Sequence, residues 1–142
     1  MSRNWTPEER EILEGRVMRA LARHVGRARE IGMAELFEQV FQRPAAHRIN
    51  STRALRNLIY DLQRQGERIC SSRKSGGGGY WLAAADSELR DYLRGRKKEA
   101  LKILSLVAVL ERRSLPELLG QMAMEMRGTA GTEAGATEGG HG

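Results

Sequence analysis

Basic side chains are concentrated in one stretch of this chain, between residues 43 and 74. The full chain has 24 Lys and Arg against 18 Asp and Glu, a formal net charge of +6. Residues 1–42 and 75–142 each carry equal numbers of both signs, so the 43–74 segment supplies the whole excess. Twenty of the basic residues are arginine, whose planar guanidinium matches phosphate oxygens and guanine edges. This concentration favours a polyanionic ligand, and the alternative is an ordinary solvated basic face.

The spacing of apolar residues in this segment predicts a helix with one outward polar face. Leu55, Leu58, Ile59 and Leu62 recur at intervals of three and four, which buries the opposite face. On the first turns, outward side chains could reach base edges in a DNA major groove, whereas later ones suit phosphates. The alternative is a solvated polar face. We expect base contacts from Thr52, Arg53, Arg56 and Asn57, and phosphate contacts from Arg48, Arg64, Arg73 and Lys74. Ser51 and Tyr60 complete the predicted DNA-binding set.

Side chains that could carry catalysis are sparse. The three histidines are dispersed, Cys70 is the only cysteine, and the spacings typical of zinc sites and activated serines do not occur. Lysine and serine precede the glycines at 76–79, whereas a phosphate-binding loop requires them after its last glycine. We therefore expect no enzyme, no catalytic or metal site, no cofactor and no small-molecule ligand.

Periodicity and capping signals predict the helices that position these residues. A first helix should begin with Thr6 as its cap and Pro7 in its first turn, where Glu9 can close a capping box. It should end near His24. A second covers the apolar positions from Met33 to Phe41. The third should begin with Asn50, Ser51 or Thr52 as its cap and end at Gly66.

The rest of the chain predicts a hairpin followed by helices. Residues 67–72 and 80–83 are strand-like and flank the glycine loop, and their Ile69, Trp81 and Leu82 should lie on the helices beneath. A long helix should run from Asp86 or Ser87 to about Arg113, with an apolar second half at 100–110. A short helix should then reach about Met126, and residues 128–142 are expected to be disordered.

One set of core and turn positions has a characteristic order along the chain. It comprises Ser51, Leu55, Ile59, Leu62, Gly66, Ile69 and then Gly79-Tyr80-Trp81-Leu82. This order resembles the winged-helix domains at the N-terminus of biotin-ligase repressors and in small bacterial and phage regulators, in which a glycine follows a serine-capped recognition helix and the wing returns through G-Y-x-L. The resemblance covers about residues 10–84 and implies a winged helix-turn-helix with a two-stranded wing. The connection at 42–50 is longer than the family's tight turn.

These patterns together predict an α+β, mostly helical protein with three regions. Residues 6–85 would form the winged-helix DNA-binding domain, 86–127 a helical extension and 128–142 a Gly/Ala/Thr/Glu tail. We expect the 86–127 helices to form a homodimer, and the alternative is that they only complete the core. Nothing after Asp86 resembles the ligase catalytic domain, so the resemblance implies no enzymatic role.

The predicted function is sequence-specific binding of double-stranded DNA by a transcriptional regulator of bacterial or phage type. The N-terminus lacks the apolar core of a signal peptide, and no apolar run is long enough to span a membrane, so we expect the cytoplasm. One alternative is a protein-interaction adaptor in a phage replication or packaging complex. Another is a nucleic-acid-processing accessory.

Overall fold

The computed structural model describes residues 5–45, 48–73 and 78–139, and describes side chains in 5–45, 52–73 and 78–128. Over these ranges the predicted α+β, mostly helical class is confirmed. The helices there are α1 (Pro7–Leu21), α2 (Met33–Phe41), α3 (Arg48–Arg64), α4 (Asp86–Leu110) and α5 (Leu115–Gly139). The strands there are β1 (Ile31–Gly32), β2 (Ile69–Ser71) and β3 (Gly79–Leu82), and a 3₁₀ turn covers Arg27–Arg29.

The chain divides into two compact units, residues 1–93 and 94–142. The first unit includes the first two turns of α4, whereas the sequence predicts a boundary between residues 85 and 86. None of the helices in the described ranges combines the length and the apolar character that crossing a membrane would require.

The first helix begins where the sequence predicts and ends earlier. Thr6 Oγ1 accepts the Glu9 N–H at 3.1 Å, and the Thr6 N–H donates to Glu9 Oε2 at 3.0 Å, which completes the predicted capping box. The helix ends at Leu21 rather than near His24 because the backbone beyond it turns into the sheet. The Leu82 N–H donates to His24 O at 2.9 Å, and the Gly26 N–H donates to Leu82 O at 2.8 Å.

The sheet has three antiparallel strands in the order β1-β3-β2. The predicted hairpin corresponds to β2 and β3, which pair Cys70 with Trp81 and Ser71 with Tyr80. The sequence misses β1, which pairs Ile31 with Tyr80 on the other side of β3. A strand of two residues is too short to show a period-two pattern, so only the tertiary structure reveals it.

Helix α3 begins at Arg48, one turn earlier than predicted. The expectation that Asn50, Ser51 or Thr52 caps this helix is therefore wrong, because all three lie inside its first turns. The connection from α2 is correspondingly shorter than the predicted 42–50. It begins with Gln42, whose φ of 58° ends α2 in the left-handed conformation, and residues 46 and 47 lie outside the described residues.

The core of the first unit lies between α1, α2, α3 and one face of the sheet. Ile69 and Tyr80 are buried in it, and Leu82 packs against it, as the alternation of a strand requires. Trp81 points to the other face of β3 and is not part of this cluster, contrary to prediction. Its indole N–H donates to Glu88 Oε1 of α4 at 2.9 Å.

Helix α5 continues to Gly139 instead of ending near Met126. The sequence predicts disorder from residue 128, whereas the backbone is helical as far as residue 139. Residues 140–142 lie outside the described residues. Helical hydrogen bonds join residues four apart, so a helix can continue without side chains to bury.

Strand β1 approaches β3 so closely at Gly79 that a larger residue does not fit. A Cβ atom at Gly79 would lie 2.9 Å from the Ile31 carbonyl oxygen, which is backbone and cannot rotate away. We expect Gly79→Ala to lower the free energy of unfolding by about 1–3 kcal/mol. Gly15→Ala is the control, since Gly15 lies within α1 with open space at its Cβ, and it should be neutral or stabilising by up to about 1 kcal/mol. Urea unfolding of both variants measures the difference, and equal effects would contradict the close approach.

Candidate nucleic-acid interface

The outward side of α3 carries a row of basic and aromatic side chains. Arg53, Arg56, Tyr60 and Arg64 are all exposed and are spaced at i, i+3, i+7 and i+11, which places them along one side of a helix. We call these four residues the arginine face. At 1.5 Å per residue it extends for about 16 Å. The predicted outward direction is confirmed for all four side chains.

The predicted outward position of Thr52 is wrong. Its side chain is only 2% exposed, because it lies three residues before Leu55 and seven before Ile59, on the same buried stripe. Its spacing from these two residues was visible in the sequence and could have shown this. Asn57 is half-buried at the edge of the arginine face. Of the four side chains expected to read bases, Arg53 and Arg56 are the fully outward ones.

Tyr60 and Arg64 form an exposed stacked pair in the second half of α3. The Arg64 guanidinium carbon lies 5.9 Å from the centroid of the Tyr60 ring, within the range of a cation–π interaction. The Tyr60 side chain is 59% exposed. The pair thus presents a flat aromatic surface and a positive charge together to solvent.

The Arg56 charge acts on one residue of the sheet. Burial raises the pKa of the Tyr80 phenol above its ordinary value, and the Arg56 charge opposes that shift. Tyr80 lies in β3, opposite Ser71 of β2. Helix α3 itself contacts β2, where the Gln63 side-chain amide donates to the Ile69 carbonyl oxygen at 2.8 Å.

A hydrogen-bonded network joins the two strands of the hairpin at the end next to the glycine loop. Ser72 Oγ donates to Glu30 Oε2 at 2.7 Å and accepts the Gly79 N–H at 3.3 Å. The Ser72 N–H donates to the Gly79 carbonyl oxygen at 3.0 Å. Exposed Arg73 follows directly, so this network fixes the point from which the loop projects. The sequence gives no signal for Glu30, which is distant along the chain.

Not every basic residue of the 43–74 segment belongs to the arginine face. Arg68 pairs with Asp86 at the start of α4, with 2.7 Å between Nη2 and Oδ1. The Arg43 guanidinium lies over the Phe37 and Phe41 rings, at 5.3 and 5.9 Å from their centroids. The predicted contacts Arg48 and Ser51 have helical backbones but side chains outside the described residues, and Lys74 lies outside them altogether.

Other chemistry at this surface is limited within the described ranges. No group of three or more His, Cys, Asp or Glu side chains there could hold a metal ion. Cys70 is fully buried, and burial, aided by the Glu88 charge, raises the pKa of its thiol to about 11. A thiol with that pKa is almost wholly protonated at neutral pH, which makes it a poor nucleophile.

Comparison with known proteins adds no assignment, because no family model, no curated protein and no solved structure matches this chain. Inferences about function therefore depend on the geometry of the arginine face and the hairpin.

The burial of Thr52 predicts that two adjacent residues of α3 respond differently to truncation. Thr52→Ala removes a buried methyl and hydroxyl, and we expect it to lower the free energy of unfolding by about 1–2 kcal/mol. Arg53→Ala alters an exposed side chain, and its effect should stay within about 0.5 kcal/mol. Denaturant unfolding of the two variants tests this, and a larger effect for Arg53→Ala would mean that α3 is rotated from the orientation described.

Proposed function

We propose that this chain is a winged-helix protein that binds double-stranded DNA in a sequence-specific way, as a transcriptional regulator of bacterial or phage type. The observation that carries the proposal is the arginine face on α3, the helix that contacts β2 of the hairpin. The order α1, β1, α2, α3, β2, β3 supports the winged-helix assignment, since a helix and a neighbouring hairpin can contact adjacent parts of a duplex. Neither catalysis nor a cofactor is part of the proposal.

Arg53 and Arg56 would read bases. A guanidinium can bond guanine O6 and N7 at once, and each such pair discriminates by about 1–3 kcal/mol. Three residues of helix rise about 4.5 Å, while neighbouring base pairs are about 3.4 Å apart. The preferred site should therefore contain guanines at neighbouring or next-neighbouring positions. Asn57, at the edge of the face, could add an adenine contact.

The remaining basic residues would hold the backbone. Arg64, kept in place by the Tyr60 ring, lies on the second half of α3, where phosphates flank the groove. Arg73 extends from the hairpin, and together with Lys74 it would reach the minor groove or its phosphates. Arg48 and Ser51, at the start of α3, complete the proposed contact set. Such contacts fix the register of the protein and make affinity depend on salt.

Two groups of arginine variants should have different effects on DNA binding. The measured quantity is the ratio of the affinity for a duplex selected from a random pool to the affinity for a scrambled duplex. Arg53→Ala or Arg56→Ala should lower this ratio by about 10-fold or more, because each removes a guanine contact. The double variant Arg73→Ala/Lys74→Ala should weaken both duplexes alike and reduce the slope of log K against log salt by about 1–2. Fluorescence anisotropy at several salt concentrations measures both quantities.

Arg19→Ala is the matched control for these variants, because Arg19 is an exposed arginine of the same unit on α1. It removes the same charge away from the arginine face, so its affinity should differ little from that of the unmodified chain. If Arg19→Ala weakened binding as much as Arg53→Ala, attraction by net charge would explain the affinity. The proposed reading of bases would then be wrong.

The rival function is a protein-interaction adaptor, which the exposed apolar side chains of α4 favour. Passage over a mixed-sequence DNA column separates the two functions. A DNA-binding protein should be retained at low salt and elute at moderate salt, because phosphate contacts release counterions. An adaptor would pass through at both concentrations, and that result would reject the DNA proposal.

A further inference from the structure

The second half of α4 exposes large aliphatic side chains along one side. Ile103, Leu106, Val109 and Leu110 are 64%, 60%, 71% and 75% exposed, with α5 in place. We call these four residues the aliphatic face. The buried side chains of this unit, within its described part, are Ala108 and Leu118. Since Ala108 lies on another side of α4, the packing of the unit leaves the aliphatic face uncovered.

The spacing of the aliphatic face fits another helix. Ile103, Leu106 and Leu110 fall at i, i+3 and i+7, the seam along which one helix packs on a second, and Val109 widens it. Four side chains more than half exposed amount to a few hundred Å² on each chain. Pairing the face with a copy of itself doubles that area and brings it near the lower limit of specific interfaces.

We propose that the aliphatic face binds the same face of a second copy of this chain, with the two α4 helices antiparallel. A symmetric dimer uses one surface twice, so residues equally distant from the two-fold axis meet each other's copies. With the axis at Leu106, Glu99 lies seven residues before it, near the C-terminal end of the partner's α4. That helix ends at Leu110 and the chain turns at Arg112, whose φ is 56°, so Arg113 lies just beyond the helix end. The Glu99 carboxylate of each chain then lies near the Arg113 guanidinium of the other, and opposite charges close both ends of the interface.

The alternative parallel pairing is unfavourable on charge. Residues 94–98 read Arg-Gly-Arg-Lys-Lys, and a parallel arrangement would set this basic run against its own copy. In the antiparallel arrangement the two basic runs lie at opposite ends of the interface, each beyond the C-terminal end of the partner's α4.

The charges that would close the interface are held only weakly within one chain. Glu99 pairs with Arg96 at 3.0 Å and Arg113 with Glu111 at 3.8 Å, and these side chains are 41–54% exposed. Exposed pairs of this kind contribute little, so Glu99 and Arg113 can exchange partners when two copies meet.

Sedimentation velocity of the full chain, from about 1 to 100 μM, tests the pairing. The unmodified chain should pass from monomer to dimer within this range. Leu106→Glu places two carboxylates against each other at the axis and should weaken the dimer at least 10-fold. Lys97→Glu is the control, because Lys97 lies nine residues before Leu106 on the opposite side of α4, and it should not weaken the dimer. A chain that stays monomeric at 100 μM, or an unchanged dimer in Leu106→Glu, would overturn the inference.

A charge exchange tests the antiparallel arrangement itself. Glu99→Lys sets a lysine against Arg113 of the second copy and should weaken the dimer, and adding Arg113→Glu should restore it. Failure of the double variant to recover would reject this register even if a dimer forms. Circular dichroism confirms that each variant is folded.

The pairing does not rest on DNA binding, and the two failures are distinguishable. Leu106→Glu should still bind a DNA half-site with unchanged affinity. If the unmodified chain forms the dimer but does not bind DNA, only the proposed function is rejected.

Discussion

The orientation of α3 is the constraint on which the candidate site depends. Its inward stripe consists of Leu55, Leu58, Ile59 and Leu62, each at most 3% exposed. Removing these side chains from water stabilises the unit by roughly 1.5–3 kcal/mol each, which fixes the rotation of the helix about its axis. The opposite side must then face solvent. The arginine face is therefore set by the burial of apolar residues, and no interaction among the arginines themselves is needed to form it.

The central strand β3 holds the hairpin beside that helix. It pairs with β1 on one side and with β2 on the other, so both of its edges are occupied. Its two faces are also used, because Tyr80 enters the core while Trp81 bonds Glu88 and meets the Tyr92 ring edge-on at 6.3 Å. A hairpin of two strands is marginal in isolation. Here the third strand and the first turns of α4 supply the support that a rigid hairpin requires.

The basic residues of the 43–74 segment have two different roles. Arg68 pairs with Asp86, and Arg43 lies over two phenylalanine rings, so both guanidinium groups already contact groups of this chain. Arg53, Arg56 and Arg64 face solvent on one side of α3. Net charge alone cannot distinguish these roles, because it counts a guanidinium equally whether or not a carboxylate or an aromatic ring holds it.

The features that depend on local spacing could be predicted from the amino-acid sequence. These include the capping box at Thr6 and Glu9, the amphipathic pattern of α3 and the strands on both sides of the glycine loop. Each depends on residues close together in the chain, so its pattern can be recognised without knowing how the rest of the chain folds. The outward direction of Arg53, Arg56, Tyr60 and Arg64 follows from the same local pattern.

The features that join distant residues could not be predicted from the sequence and became visible in the folded chain. The pairing of Ile31 with Tyr80, the Glu30 contact to Ser72 and the place of Trp81 against α4 all connect separate segments. Contacts of this kind depend on how whole elements pack, which the spacing of residues along a single helix or strand does not encode.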